Sequence, residues 1–228
     1  MKTVIVSCRT IEDEVMAARA KAGVDYPVEW LESGLHNQPP ILLARLQELL
    51  DSLDCERVLL AMGFCGNSYK GLKLGKYELI VPRVDDCISL LLGGVDRRME
   101  VGREYAAYFF TEGWMRGERN IWEEYKYTVE QYGEEMAETV MEMMYSHYRT
   151  LALLDTGVGD IDALCAKVEP LAEALHLERK KLSATLDYFT ELFLGPWDDR
   201  NRFVRFAPGS TVEEDDLTLP GGVKASLQ

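Results

Sequence analysis

Three short apolar runs, each followed within five residues by a cysteine, constrain the fold of this chain more than any other feature. Each run is bounded by Gly, Pro or charged residues, which is typical of a buried strand. Helical sequence separates the strands, so the pattern predicts an α/β fold, Rossmann-like, with a mostly parallel sheet flanked by helices. The runs are Thr3–Ser7, Val58–Gly63 and Tyr77–Pro82, and the cysteines are Cys8, Cys65 and Cys87.

The same alternation continues to the end of the chain. Further strands are predicted over Val28–Glu32, Tyr105–Thr111, Thr150–Leu154, His176–Ser183 and Arg202–Phe206. Helices are predicted over Ile11–Ala22, with Thr10 as N-cap, Ile41–Leu53, Arg119–Tyr132, Glu134–Tyr148, 160–175 and 184–194, with a short buried helix or turn over Cys87–Gly94.

The length of 228 residues fits one large domain or two small lobes. We predict a single α/β domain over residues 1–208, with two pseudo-equivalent lobes (1–100 and 101–208) as the alternative. A helix, a strand and a glycine loop follow one another in both halves, but their residues do not align as a repeat. Residues 209–228 are predicted to form an acidic C-terminal tail.

The charge balance restricts the partners. With 39 acidic and 25 basic residues the formal charge is −14, which argues against nucleic acid and gives no support for an anionic membrane surface. No apolar run approaches membrane-spanning length, and strand-like sequence stands where a signal peptide would be. Five cysteines without short regular spacing do not indicate a disulfide framework. We therefore expect a cytoplasmic protein.

The three strand-end cysteines form a candidate metal site. In a parallel sheet the carboxyl ends of the strands share one edge, where ligands bind, so Cys8, Cys65 and Cys87 are expected to converge. His36 reaches the same edge if the second strand is parallel. Three thiolates and an imidazole form a tetrahedral zinc set, while three thiolates with an open position suit catalytic zinc or an iron–sulfur cluster. The alternative is three unrelated buried thiols.

The remaining cysteines are not expected at this site. Cys55 lies before a strand, at the opposite end of the sheet, and Cys165 lies on a helix. Thiols beside glycine turns and helix N-termini are also expected to have lowered pKa values. Cys65 or Cys87 should then react with alkylating reagents well before Cys165.

Two residues after the fifth strand could take part in chemistry. Glu112 is a candidate general base and Trp114 a flat wall for a cofactor or substrate ring. A helix N-terminal acid and a core tryptophan explain the pair equally well. Between Pro82 and Cys87, one aspartate of Asp85 and Asp86 is expected to cap the next helix, while the other could orient a histidine ligand.

Two glycine turns are candidate cofactor-binding segments. Their backbone N–H groups could hold a phosphate or carboxylate, most directly in the second turn, which leads from a strand into a helix. Neither turn has the third glycine of a dinucleotide fingerprint or the lysine of a P-loop. The candidates are Gly63, Gly66 and Asn67 in the first turn and Gly157 and Gly159 in the second.

Several motifs together resemble the prokaryotic domain-of-unknown-function family numbered sixteen-thirty-eight. They are Leu35–Pro39, Gly63–Asn67, Pro82–Gly93, Thr111–Trp114 and Gly195–Trp197. Members of that family often have His-Asp-Cys in the third motif, where this chain has Asp85 in the histidine place. The resemblance implies an association with corrinoid-dependent methyl-transfer systems in anaerobes.

These observations lead to two functional hypotheses. The first is a metal- or metallocofactor-binding protein of one-carbon or corrinoid metabolism. In one form it would be a thiol methyltransferase that carries zinc, and in the other it would carry a corrinoid or an iron–sulfur cluster. Its partner would be a small molecule or a corrinoid methyl carrier. The second is a non-enzymatic accessory protein with structural cysteines, which docks a corrinoid protein or a methyltransferase. Whether the chain is an enzyme stays open at this point.

Overall fold

The computed structural model describes residues 1–117 and 120–222 and shows an α/β fold with two sheets. The strands are β1 Thr3–Cys8, β2 Val28–Leu31, β3 Arg57–Ala61, β4 Glu78–Pro82, β5 Ala107–Phe110, β6 Thr150–Asp155, β7 Glu178–Ser183 and β8 Phe203–Phe206. The helices are α1 Glu12–Ala22, α2 Pro39–Ser52, α3 Cys87–Leu91, α4 Val95–Tyr105, α5 Glu112–Arg116, α6 Ile121–Tyr132, α7 Glu134–Tyr145, α8 Ile161–Lys167, α9 Glu169–Ala174 and α10 Asp187–Leu194.

The larger sheet has five strands in the order β2-β1-β3-β4-β8. Strands β1 to β4 run parallel and β8 runs antiparallel at the edge, which confirms the predicted mostly parallel sheet. The chain leaves β1 toward β2 and then crosses back to place β3 on the other side of β1. The carboxyl ends of β1 and β3 therefore flank a topological switch point, the usual ligand position in open α/β sheets.

The smaller sheet has three parallel strands in the order β5-β6-β7. Its side chains alternate between two cores, because successive residues of a strand point to opposite faces. Phe109 and Leu154 pack into the core shared with the larger sheet. Phe110 and Leu153 pack with the helices on the other face. The smaller sheet is thus held against the larger one.

The end of the chain returns to the larger sheet. Helix α10 packs against α1 and β3, and β8 pairs with β4. A division at residue 100 separates β1–β4 from β5–β7, but residues 187–206 join the first group. The second predicted lobe is therefore interrupted before residue 208.

Three local predictions differ from the structure. Thr10 does not cap α1 but lies in a short 3-10 turn over Arg9–Ile11. The helix predicted through residue 175 is divided into α8 and α9, because Pro170 lacks the N–H that a continuous helix needs. Helix α4 was not recognised from the sequence. The predicted helix start at Arg119 and the last six residues of the predicted acidic tail lie outside the described residues.

One buried carboxyl group makes stability depend on pH. Glu14 on α1 is only 3% exposed, and its Oε2 atom has no hydrogen-bond partner. Burial raises the pKa of Glu14 to about 7, and Asp13 and Glu112 raise it further while Arg116 opposes them. The folded protein therefore holds this proton more tightly than the unfolded chain does.

We predict that Glu14→Gln stabilises the protein at pH 8 and has little effect at pH 5. The pKa of Glu14 is higher in the folded protein than in the unfolded chain. The contribution of the protonated carboxyl group to stability is therefore fully present at pH values below the unfolded-state pKa, and it is lost as pH rises through about 7. The neutral amide should add on the order of 2–3 kcal/mol at pH 8. Urea unfolding at both pH values measures this, with the more exposed Glu12→Gln as control. An equal effect of Glu14→Gln at the two pH values would contradict it.

Candidate metal centre

A cavity of about 470 Å³ lies at the carboxyl ends of the parallel strands of the larger sheet. This volume is in the range of small-molecule sites. Residues that follow β1, β2, β3 and β4 line one side, and β5 with the segments after it lines the other. The sequence-predicted residues around the cavity are Cys8, His36, Cys65, Gly66, Cys87 and Trp114. All four candidate metal ligands therefore face one space, and Cys55 and Cys165 do not line it.

The Cys65 and Cys87 thiols are close enough for Cys65 to be the main cause that raises the pKa of Cys87. Cys65 lies in the turn after β3, and Cys87 is the first residue of α3. The Cys8 thiol is close enough to Cys87 to interact with it electrostatically, and its sulfur lies 3.2 Å from the Thr10 hydroxyl oxygen. The three thiols are thus neighbours, although they come from three different strand ends.

The turn that carries Cys65 has an unusual backbone. Cys65, Gly66 and Asn67 have φ angles of 45°, 66° and 62°, which are unfavourable for the two residues that have a Cβ atom. Such strain persists only where surrounding contacts enforce it, and it concentrates at functional sites. The Ser68 amide closes the turn by donating to the Phe64 carbonyl oxygen at 3.1 Å.

Contacts with the turn after β4 enforce this conformation. The amides of Phe64 and Cys65 donate to the carbonyl oxygens of Val84 and Asp85 at 2.8 and 2.7 Å. At Gly63, a Cβ atom would lie 2.6 Å from the Asp86 backbone, so only glycine allows the two turns to approach this closely. Gly63 and Asn67, which were predicted to bind a cofactor, support the turn and do not line the cavity.

The two aspartates before Cys87 have different partners. Asp86 caps α3 by accepting from the Ser89 amide at 2.7 Å, which confirms that one aspartate is a cap. The Asp85 carboxylate accepts from the Ser89 hydroxyl. Burial and the neighbouring Asp85 raise the pKa of Asp86, while the Arg98 guanidinium, 3.4 Å away, opposes them.

His36 lies in a short 3-10 turn after β2. Burial lowers the pKa of His36, so the imidazole is neutral at neutral pH. A metal ligand must be in this neutral form. His36 is therefore in the protonation state that coordination requires.

The Cys8 and Cys87 thiols have raised pKa values, so the expectation of lowered values is wrong for these two residues. Burial is the main cause at Cys8, whose pKa rises to about 11. The neighbouring Cys65 thiol, followed by burial, raises the pKa of Cys87 well above the usual value, although the Gly63 amide opposes this. Desolvation outweighs the amide contacts. A bound divalent cation reverses this balance, because a coordinating thiol is deprotonated.

The donor types fit a soft metal, but the side chains are not already gathered around one point. Thiolates with an imidazole are a normal zinc set. Across residues 1–117 and 120–222, no three His, Cys, Asp or Glu side chains are arranged to hold a metal ion. Coordination would therefore require side-chain rearrangement around the cavity.

The other predicted residues lie away from the thiols. Glu112 accepts from the Asp160 amide at 3.1 Å, and a Cβ atom on Gly159 would lie 2.7 Å from its carboxyl carbon. The Gly157 amide donates to the Asp155 side chain at 3.1 Å. Glu112, Gly157 and Gly159 thus join α5 to the turn after β6, and none of them lines the cavity.

Sequence reasoning missed the far wall of the cavity. This wall includes Tyr108, Tyr145, Tyr148, Arg98 and Glu124. The ring of Tyr108 stands nearly perpendicular to those of Tyr145 and Tyr148, with centroids 6.1 and 5.3 Å away. The Tyr145 hydroxyl donates to Glu124. The one available signal was the pair Tyr145 and Tyr148, which are three positions apart at the end of a predicted polar helix.

Comparison with known proteins identifies the family. A family model described as a protein of unknown function, DUF1638, matches residues 30–193. The chain belongs to this family. The DUF1638 match includes His36, Cys65 and Cys87, whereas Cys8 and the Gly195–Trp197 motif lie outside it. No curated protein and no solved structure gives a match. Within the described part of the chain, every helix is too short or too polar to cross a bilayer.

We predict that Cys165 reacts with iodoacetamide before Cys8 and Cys87 in the native, metal-free protein. Cys165 is partly exposed, whereas Cys8 and Cys87 are buried and have raised pKa values. Thiolates, not thiols, are the reactive form. Peptide mass spectrometry after brief labelling at neutral pH gives the order, with urea-unfolded protein as control. Faster labelling of Cys87 would show that an exposed thiolate exists at this site.

Proposed function

We propose that this DUF1638 protein binds zinc through Cys8, Cys65 and Cys87, with His36 or a substrate thiol in the fourth position. We further propose that it transfers a methyl group to that thiol, in the cytoplasm and in one-carbon or corrinoid metabolism. The observation that carries the proposal is that three buried thiols and a neutral imidazole, from four strand ends, line one cavity at the switch point. A zinc ion supplies Lewis acidity that lowers the pKa of a bound substrate thiol.

The protein groups around the thiols suit thiolate ligands. The Thr10 amide donates to the Cys8 sulfur at 3.5 Å, and the Gly63 amide acts to lower the pKa of Cys87. Cys87 is also the first residue of α3, although this helix is only five residues long. Each contact stabilises negative charge on sulfur. These groups would hold the ligands as thiolates once a cation offsets the cost of burial.

The cavity offers space for a small thiol. Trp114 and Tyr108 form apolar walls that keep water from the substrate. A corrinoid macrocycle is larger than the drug-sized ligands that cavities of this volume hold. A methylated corrinoid would therefore be carried by another protein and presented at the cavity. The substrate thiol would lose its proton and its sulfur would form the new bond to the methyl carbon, while the electron pair of the broken cobalt–carbon bond would stay on the cobalt of the carrier.

A non-enzymatic accessory role is the competing proposal. It is favoured by the absence of a preassembled ligand set in the described residues and by the burial of all three thiols. In that case the cysteines are structural and purified protein contains no metal. An iron–sulfur cluster or a corrinoid on the same thiolates would instead colour the protein.

We predict that purified protein is colourless and contains about one zinc per chain, as one tetrahedral site would bind. Cys65→Ser should remove most of the zinc, because serine cannot supply a soft anionic ligand. The fold should survive, since a sheet of this size has an adequate core without a metal. Elemental analysis measures zinc and circular dichroism reports folding. Cys165→Ser is the matched control and should retain zinc. Full zinc content in Cys65→Ser would contradict the zinc proposal and favour the accessory role.

We also predict that zinc binds more tightly as pH rises from 6 to 8. Cys8, with a pKa of about 11, and Cys87 must each release a proton on binding. Each released proton raises affinity about tenfold per pH unit. Competition with a chelator of known pH dependence measures the slope. A slope near zero would show that the ligands are already ionised or that zinc binds elsewhere.

A further inference from the structure

Helix α7 has an apolar face that no described part of the chain covers. The methionines on this face, Met136, Met143 and Met144, are 52%, 74% and 54% exposed. Val140 lies between them, and the spacing i, i+4, i+7 and i+8 places all four residues on one side of the helix. We call Met136, Val140, Met143 and Met144 the methionine face.

This face lies beside the one that packs on the protein core. Ala137 and Met141 are buried, and Met141 and Tyr145 pack into the core beneath the smaller sheet. One apolar stripe is sufficient to hold a surface helix on its core. The methionine face extends the apolar surface of α7 beyond this buried stripe, and the exposed extension requires a different explanation.

Exposed apolar side chains are concentrated in this part of the molecule. Helices α6 and α7 carry five of the ten exposed large hydrophobic residues in the described part of the chain. The other two are Tyr127 and Tyr132 on α6, which are 61% and 66% exposed. Tyrosine and methionine are enriched at protein interfaces, and methionine adapts to the surface that it contacts. Such a concentration indicates an interaction site.

The charges of the same two helices determine which partner fits. Their acidic residues are Glu123, Glu124, Glu130, Glu134, Glu135, Glu138 and Glu142. The one basic residue is Lys126, which pairs with Glu123 at 2.6 Å. A second copy of the chain would bring the same negative charges, and an anionic lipid surface would be repelled. A basic partner is attracted and oriented by this field.

We propose that the methionine face docks a basic amphipathic helix of a partner protein. The apolar side of that helix packs on Met136, Val140, Met143 and Met144, and its Lys and Arg side chains face the surrounding glutamates. In this mode of recognition an amphipathic helix packs its apolar face on an apolar protein surface. Because Tyr145 at the end of α7 lines the thiol cavity, the partner is placed beside the candidate metal centre. The inference does not rest on the presence of zinc.

The test uses the full-length protein and a fluorescent synthetic peptide of Leu and Lys in an amphipathic helical pattern. A peptide of the same composition with scrambled order controls for charge alone. We expect the amphipathic peptide to bind at least tenfold more tightly than the scrambled one. The triple variant Met136→Gln, Met143→Gln and Met144→Gln should lose this difference. The control pair Met16→Gln and Leu194→Gln, which replaces exposed side chains on α1 and α10, should keep it.

Several results would overturn the proposal. They are equal binding of the two peptides, unchanged binding by the triple variant, or an equal loss in the control pair. A wild-type dimer that the triple variant converts to monomer would show that the occupant is a second copy. Circular dichroism and the zinc content of the triple variant should match those of the wild type. A change in peptide binding is thereby separated from loss of fold and from failure of the zinc proposal.

Discussion

The close contact between the turns that follow β3 and β4 holds the candidate site together. Two amide-to-carbonyl hydrogen bonds of 2.8 and 2.7 Å join these turns, and Gly63 lies against the Asp86 backbone with no room for a side chain. The contact forces Cys65 into a left-handed conformation and brings its thiol to Cys87. Adjacent parallel strands alone would leave these two cysteines on separate loops.

Burial of the thiols has an energetic consequence that the sequence could not reveal. A glycine turn and a helix start near a cysteine usually lower the thiol pKa. Here the sheet, α3 and the smaller sheet enclose the thiols. Burial raises the pKa of Cys8, and the neighbouring Cys65 thiol, followed by burial, raises that of Cys87. Without a cation the Cys8 and Cys87 thiols are therefore neutral. The same burial makes a soft cation a favourable occupant, because it allows thiolates to exist in an apolar setting.

The part of the site that could be predicted is the part that depends on topology alone. Cys8, Cys65 and Cys87 follow strands, and parallel strands end at one edge, so their shared cavity followed from the strand pattern. His36 was placed by the same rule. The Tyr145 and Tyr148 wall could not be predicted in this way, because its position depends on how α7 packs on the smaller sheet. Glu112 is the opposite case, because it was expected at the site and does not line the cavity. It stands after a strand, yet its carboxylate binds the Asp160 amide instead of facing the cavity.

Helix α7 contributes both to the cavity and to the methionine face. Its inner side holds the smaller sheet, its last residue contributes an aromatic wall to the cavity, and its outer side carries the methionine face. In the proposed function a macrocycle too large for the cavity is delivered by another protein, and such delivery would need a docking surface close to the thiols. A basic helix on α7 would lie one helix diameter, about 10 Å, from the cavity wall. A single helix would thereby link the proposed chemistry at the thiols to the proposed recognition on α7.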